Sequence, residues 1–146
     1  VIPDAKTFRQ EVRGRLMALC STLPGTDWSW TPHLNFRVHG RTFAYHFENY
    51  RLWGRSALCC KAMPGELERL TKRNPRRYFV PEYLGRIGWV GAWLGDETLP
   101  RWDDIEGLFR EACLLARPLP FLEAVGAGRA ATAPDAGRRV RFTVLR

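Results

Sequence analysis

His33–Phe47, HLNFRVHGRTFAYHF, decides how the chain folds. His39–Gly40 stands between two runs in which apolar and polar residues alternate, the pattern of two strands joined by a two-residue hairpin turn. Such a turn fixes every cross-strand pair. Val38 then faces Arg41, Arg37 faces Thr42, Phe36 faces Phe43 and Leu34 faces Tyr45. Partners across a ladder share a face, so Leu34, Phe36, Phe43 and Tyr45 are expected to form one apolar surface. A slip of one residue would turn Phe36 or Phe43 to solvent, which makes the register strict. The same pairing sets His33 opposite His46 on the polar face and puts Arg37 and Arg41 beside the tip. Two imidazoles begin a metal site, but a third ligand is needed and the deduced face supplies no carboxylate; no metal is expected.

Upstream, Asp4–Leu23 reads as a helix. Phe8, Val12, Leu16, Leu19, Cys20 and Leu23 recur at three- and four-residue steps, Asp4 can cap the start, and Pro24–Gly25 stops it. Lys6, Arg9 and Arg13 make a second stripe, the solvated face. Downstream, Ser56–Met63 reads as a third strand, and Pro64–Gly65 opens a helix over Glu66–Arg73 that Asn74–Pro75 ends. Tyr78–Val80 is a short extended segment. Trp89–Leu94 is a strand with Trp89 and Trp93 on one face and Val90, Ala92 and Leu94 on the other, so both faces are expected to be covered. Asp103–Arg117 is a helix with Asp103 and Glu106 spaced as a capping box and Ile105, Leu108, Phe109, Ala112 and Cys113 as its buried stripe. After it, GAGRAATAPDAG is linker-like, and RRVRFTVLR alternates as a strand that should attach to a sheet edge. The expected fold is α+β: one domain over 1–118, an antiparallel β-sheet packed with helices, then an extension over 119–146 with an extra strand.

A chain of 146 residues can bury a core without disulfides or metals. No apolar run approaches the roughly 18–20 residues of a membrane span. The first residues, VIPDAKTFRQEV, carry charges where a signal peptide would be apolar, so a soluble, cytoplasmic protein without a membrane partner is expected. The net charge is +8, and 20 of the 23 basic residues are arginine. Five arginines against one aspartate put +4 of that charge in Val125–Arg146, leaving a mildly basic domain with a basic tail. Cys20 and Cys113 fall at apolar helix positions. Cys59 and Cys60 are strand neighbours pointing to opposite faces and cannot share a metal. Reduced, buried thiols are the expectation. The sequence has no nucleophile elbow, phosphate loop, HExxH or GxGxxG motif. Glu66/Glu68 and Asp103/Asp104 stand at helix starts, where the helix dipole accounts for them. Neither a catalytic residue nor a cofactor is expected.

LNFRVHGRTFAYHF, ALCCKAMPGELERL, RYFVPEYLGRIGWVGAWLG and RWDDIEGLFREACLLARP occur in this order with tight spacing. Together they resemble the successive blocks of the MmcQ/YjbR family over roughly residues 5–118. The resemblance implies a CyaY-like (frataxin-like) fold and a DNA-binding role. The final helix departs from the family pattern at Ala112–Cys113, Pro118–Leu119–Pro120 stands where a Pro-Lys ending is usual, and the tail from Phe121 lies outside it. Iron handling, the work of an acidic ridge on the frataxin-like first helix, is not expected: here that helix carries Lys6, Arg9, Arg13 and Arg15 against Asp4 and Glu11.

The function expected is therefore contact with the phosphate backbone of double-stranded DNA, non-specific in sequence. Two basic loops would carry it. Arg37 and Arg41 lie at the hairpin tip; the end of the second helix presents Lys72, Arg73, Arg76 and Arg77, and Arg86 sits on the turn between Gly85 and Gly88. The alternative is a protein- or small-ligand-binding module without catalysis, using an aromatic groove lined by Trp28, Trp30, Trp53 and Tyr83.

Overall fold

The computed structural model describes residues 5–30, 32–52, 54–94 and 101–118. The chain divides into one unit over Val1–Ala116 and a second over Arg117–Arg146. The expected tail strand, Arg138–Arg146, lies outside the described residues. The first unit is α+β. Its elements are α1 (Ala5–Ser21), β1 (Thr26–Trp30), β2 (Leu34–Val38), β3 (Arg41–Phe47), β4 (Ser56–Cys60), α2 (Glu66–Arg73), β5 (Tyr78–Phe79), β6 (Val90–Leu94) and α3 (Trp102–Ala116). The six strands form one antiparallel sheet in the order β1-β2-β3-β4-β6-β5. Among the described residues no helix is long and apolar enough to cross a membrane.

The hairpin turn forms as its residues dictate. His39 (φ 51°) and Gly40 (φ 80°) are both left-handed, the geometry a two-residue hairpin needs, and Val38 pairs with Arg41 and Arg37 with Thr42. The register then departs from the expected one. Phe36 pairs with Ala44, Asn35 with Tyr45 and Leu34 with His46, so Phe43 is an extra residue in β3. This is a β-bulge, two residues opposite one. It leaves Phe43 and Ala44 on the same side, both buried in the main core, and reverses the phase of everything after them. Phe36 and Phe43 do share a face, with ring centroids 6.4 Å apart. Tyr45, however, moves to the opposite face, and His46 turns inward beside Leu58. The expected His33/His46 pair is thereby broken: His33 is exposed against Phe47, and His46 is buried.

The main core lies between the sheet and the three helices. Phe109 of α3 meets Phe36 and Phe43 edge-on, each at 5.0 Å. Val12 and Leu16 of α1 and Leu67 and Leu70 of α2 fill the two sides. The buried stripe expected of α3 is the one observed, with all five residues inside. That helix starts one residue early, at Trp102, so Asp103 stands in its first turn and does not cap it. β4 stops at Cys60, short of the expected Met63, although the Lys61 amide still bonds the Phe43 carbonyl at 3.0 Å. All four cysteines are buried, and none is in a disulfide.

β1 is an element the sequence reading lacks. Thr26, Trp28 and Trp30 alternate with Asp27 and Ser29, but the run is short and sits at the sheet edge. Trp28 packs on the main core, while Trp30 remains 52% exposed.

His46 is the polar cost of the bulge. Neither ring nitrogen has a hydrogen-bond partner, and burial, helped by the nearby Arg13 cation, lowers its pKa from 6.5 to about 4. A group lowered in this way is neutral in both states above pH 6.5. Between pH 6.5 and 4 only the unfolded chain takes up the proton, so stability falls as the pH falls through that window. At about 1.4 kcal/mol per pH unit, the loss across the window is about 3 kcal/mol. Urea unfolding of the protein and of His46→Leu at pH 7 and pH 4.5 should show the variant losing markedly less stability on acidification. Parallel losses would mean that His46 titrates in the folded protein.

Candidate nucleic-acid interface

The basic segment is built by the way α2 ends. Gly65, with φ 90°, lets the chain enter the helix; Glu66 and Glu68 sit in its first turn and Lys72 and Arg73 in its last, each complementing the helix dipole. Leu67 and Leu70 anchor the inner face. The Asn74 amide bonds the Leu70 carbonyl at 2.9 Å, and the Asn74 carbonyl accepts from Arg77 and Tyr78 at 3.1 and 3.0 Å. This cap turns the chain through Pro75 into β5, and the Trp93 amide holds the Arg77 carbonyl at 2.9 Å. Lys72, Arg73 and Arg76 are exposed and Arg77 is half-buried. None of the four is ion-paired among the described residues. The Nη1 of Arg77 is buried without an acceptor.

Beside this segment, α2, α3 and Tyr78 enclose an open cleft of about 570 Å³. Glu66 with Arg69 and Arg101 with Asp104 are ion pairs on its walls. Arg73 and Arg77 also line it and have no such partner. Burial first, and Asp104 second, push the Tyr78 hydroxyl up from its ordinary pKa, while Arg77, Arg69 and Arg73 act in the opposite sense.

The hairpin tip contributes differently from the expectation. Arg37 is committed to Asp27 of β1 through two parallel bonds of 2.9 and 3.0 Å, which offset its charge. Arg41 is exposed at the turn. The ladder carries the tip end of β3 through Ala44 and Cys60 to Val90, whereas Phe47 leads through Ala57 to Trp93, the partner of Arg77. Arg77 therefore sits at the other end of the sheet from the tip. Arg86 is exposed on the Leu84–Ile87 turn that leads into Val90, at the tip end. The two expected basic prongs are not adjacent.

Of the alternative groove, the three described aromatics do not come together: Trp28 and Trp30 share one face of β1, and Tyr83 lies apart. Trp28 packs on the helix side of the sheet, and Trp30 lies under the Arg13 guanidinium at 5.5 Å. Tyr83 is 75% exposed on the loop after β5. Trp53 lies outside the described residues.

The structure instead shows an aromatic layer on the face away from the helices. Trp89, Tyr45, Phe47, Tyr50, Phe79 and Trp93 are in ring contact in series, with Phe79 and Trp93 stacked at 4.1 Å and 20°. Two loops are latched over it. Tyr50 Oη accepts from the Glu82 amide at 2.7 Å, Arg51 pairs with Glu82 at 3.0 Å, and Arg55 lies over Trp93 at 4.0 Å. Arg51 (φ 53°) and Tyr83 (φ 67°) hold left-handed backbones within these loops. The sequence signal for this layer was the apolar second face of β6; the bulge that adds Tyr45 and Phe47 to it had none.

Burial pushes the Cys59 and Cys60 thiols well up, so they remain protonated and unreactive. Among the described residues no three His, Cys, Asp or Glu side chains are grouped to hold a metal. No protein-family model matches the chain, and no curated protein matches it. The resemblance to the MmcQ/YjbR family rests on the sequence blocks alone.

Gly91 is where the aromatic layer presses on the sheet. A Cβ there would lie 2.5 Å from the Phe79 ring. Gly91→Ala must displace Phe79 from Trp93 and should cost about 1–3 kcal/mol, the usual range for overpacking. A urea midpoint equal to that of the parent protein would show that the ring has room to yield.

Proposed function

We propose that the protein binds the phosphate backbone of double-stranded DNA, without sequence preference and without catalysis, through the segment Lys72–Arg77. The observation that carries this reading is the exit of α2, where four cations in six residues have no carboxylate partner. The helix dipole accounts for Lys72 and Arg73, but Arg76 and Arg77 lie beyond the helix. The resemblance to the MmcQ/YjbR family supports the same role, and helices packed on one face of an antiparallel sheet agree with the CyaY-like fold it implies. A cytoplasmic location belongs to this reading. Arg41 and Arg86, at the opposite end of the sheet, are outside the interface proposed, and Arg37 is held by Asp27.

Backbone contact works by releasing counterions, with a slope of log K against log salt of about −0.9 per phosphate neutralised. Four contacts give a slope of about −3.6. The variant Lys72→Ala/Arg76→Ala should flatten the slope by about 2 and weaken binding equally for unrelated sequences. Both side chains are exposed, so stability should change by no more than about 0.5 kcal/mol. Fluorescence anisotropy with a labelled duplex at low and moderate salt measures all of this. No binding at low salt, or an unchanged slope in the variant, would remove the interface.

A further inference from the structure

We infer that the cleft between α2 and α3 is a binding site for a phosphomonoester carried on a hydroxylated group, such as a ribose phosphate. The cleft is about 570 Å³, a volume suited to a small polar ligand. Two ion pairs on its walls are closed. Glu66 satisfies Arg69 and Asp104 satisfies Arg101, which leaves Arg73 and Arg77 as the cations without a carboxylate. Arg77 is half-buried, so only part of its guanidinium is open to the cleft, its Nη1 being shut off from solvent. Phosphate oxygens are the acceptors that planar guanidinium groups bind best. Tyr78, whose hydroxyl interacts electrostatically with Arg69, Arg73, Arg77 and Asp104, brings a neutral donor to the same place.

The remaining lining explains why the ligand is not a bare anion. Asp103 and Glu111 also line the cleft and belong to no ion pair among the described residues. A second phosphate near them would be repelled, whereas sugar hydroxyls can donate to them. A ligand with one phosphate and several hydroxyls offers acceptors to Arg73 and Arg77 and donors to Asp103 and Glu111. A free sugar phosphate or nucleotide has this chemistry, and so does the 5′-phosphorylated end of a nucleic-acid strand.

The site shares Arg73 and Arg77 with the proposed duplex surface, but Lys72 and Arg76 do not line the cleft and Gly107 does, so each site can be altered separately. Gly107 is an exposed position of α3, and a Cβ there meets nothing within 4 Å. Gly107→Met should therefore fold while filling the cleft without changing its charge, which a thermal melt verifies. Calorimetry at moderate salt would titrate ribose 5-phosphate and ribose; anisotropy would compare one single-stranded oligonucleotide with a 5′-phosphate and with a 5′-hydroxyl. Binding of ribose 5-phosphate but not ribose is expected, at least tenfold weaker in Gly107→Met and unchanged in Lys72→Ala/Arg76→Ala. If only the oligonucleotide's 5′-phosphate adds affinity, and Gly107→Met removes that gain, the site stands and its ligand is a strand end. Failure of both probes, or binding that Gly107→Met leaves intact, overturns the inference. The same Gly107→Met protein should keep its duplex affinity and salt slope, so that loss of either site is read separately.

Discussion

The bulge in β3 puts Phe43 and Ala44 on the same side of the sheet, where a regular ladder would have separated them. Phe109 needs both Phe36 and Phe43 beside it, and the edge-on contacts at 5.0 Å are what seat α3 on the sheet. With α3 seated there, its first two turns form one wall of the cleft whose other wall is α2. Beyond the bulge the strand continues in reversed phase. His46 then enters the core without hydrogen-bond partners, and Tyr45 and Phe47 are delivered to the far face. A single additional residue thus governs the helix packing, the least satisfied polar group of the core and the make-up of the second face.

The two faces of the sheet are finished by different means. On one side helices cover apolar side chains, and the long α1 and α3 supply most of the material. On the other, loops do the covering, and they are held by polar contacts: Tyr50 to the Glu82 amide, Arg51 to Glu82, Arg55 over Trp93. Left-handed backbones at Arg51 and Tyr83 are tolerable because the aromatic layer beneath over-determines the path of both loops. The candidate interface belongs to neither face. It sits where α2 gives way to β5, and its cations are displayed by a helix cap and a proline turn.

Much of this was readable from residue patterns. The helices, the HG turn, the two-faced β6 and the buried stripe of α3 all follow from periodicity, because burial on one side of a regular element leaves a regular trace. Glu66–Arg73 appears with the bounds expected. The failures have a shared cause. A turn fixes the register only while the ladder stays regular, and Phe43 looks the same in sequence whether it is paired or bulged out; only its packing against Phe109 decides. β1 leaves little trace in the sequence because five residues with Asp27 and Ser29 at their polar positions resemble a loop. For the site, the basic run at Lys72–Arg77 was visible as composition. The commitment of Arg37 to Asp27 was not, since it depends on a strand pairing absent from the reading. The cleft could not be seen at all, because α2 and α3 meet only in three dimensions.

The strand order also has a consequence for how the chain assembles. β1 to β4 follow one another across the sheet as they do in sequence, so each ladder joins near neighbours and closes only short loops. β6 is different: it docks on β4 after the chain has passed through α2 and β5, and its partner β5 lies outside it at the edge. The meander should therefore be the part that condenses first, with the tight HG turn as its seed, and the β5–β6 half should join late. The basic segment Lys72–Arg77 lies in that late half, fastened by the Trp93 amide. Should that late half also be the first to open, the amides of Lys72–Arg77 would exchange with solvent before those of β2 to β4, and the proposed interface would be carried by the less persistent part of the fold.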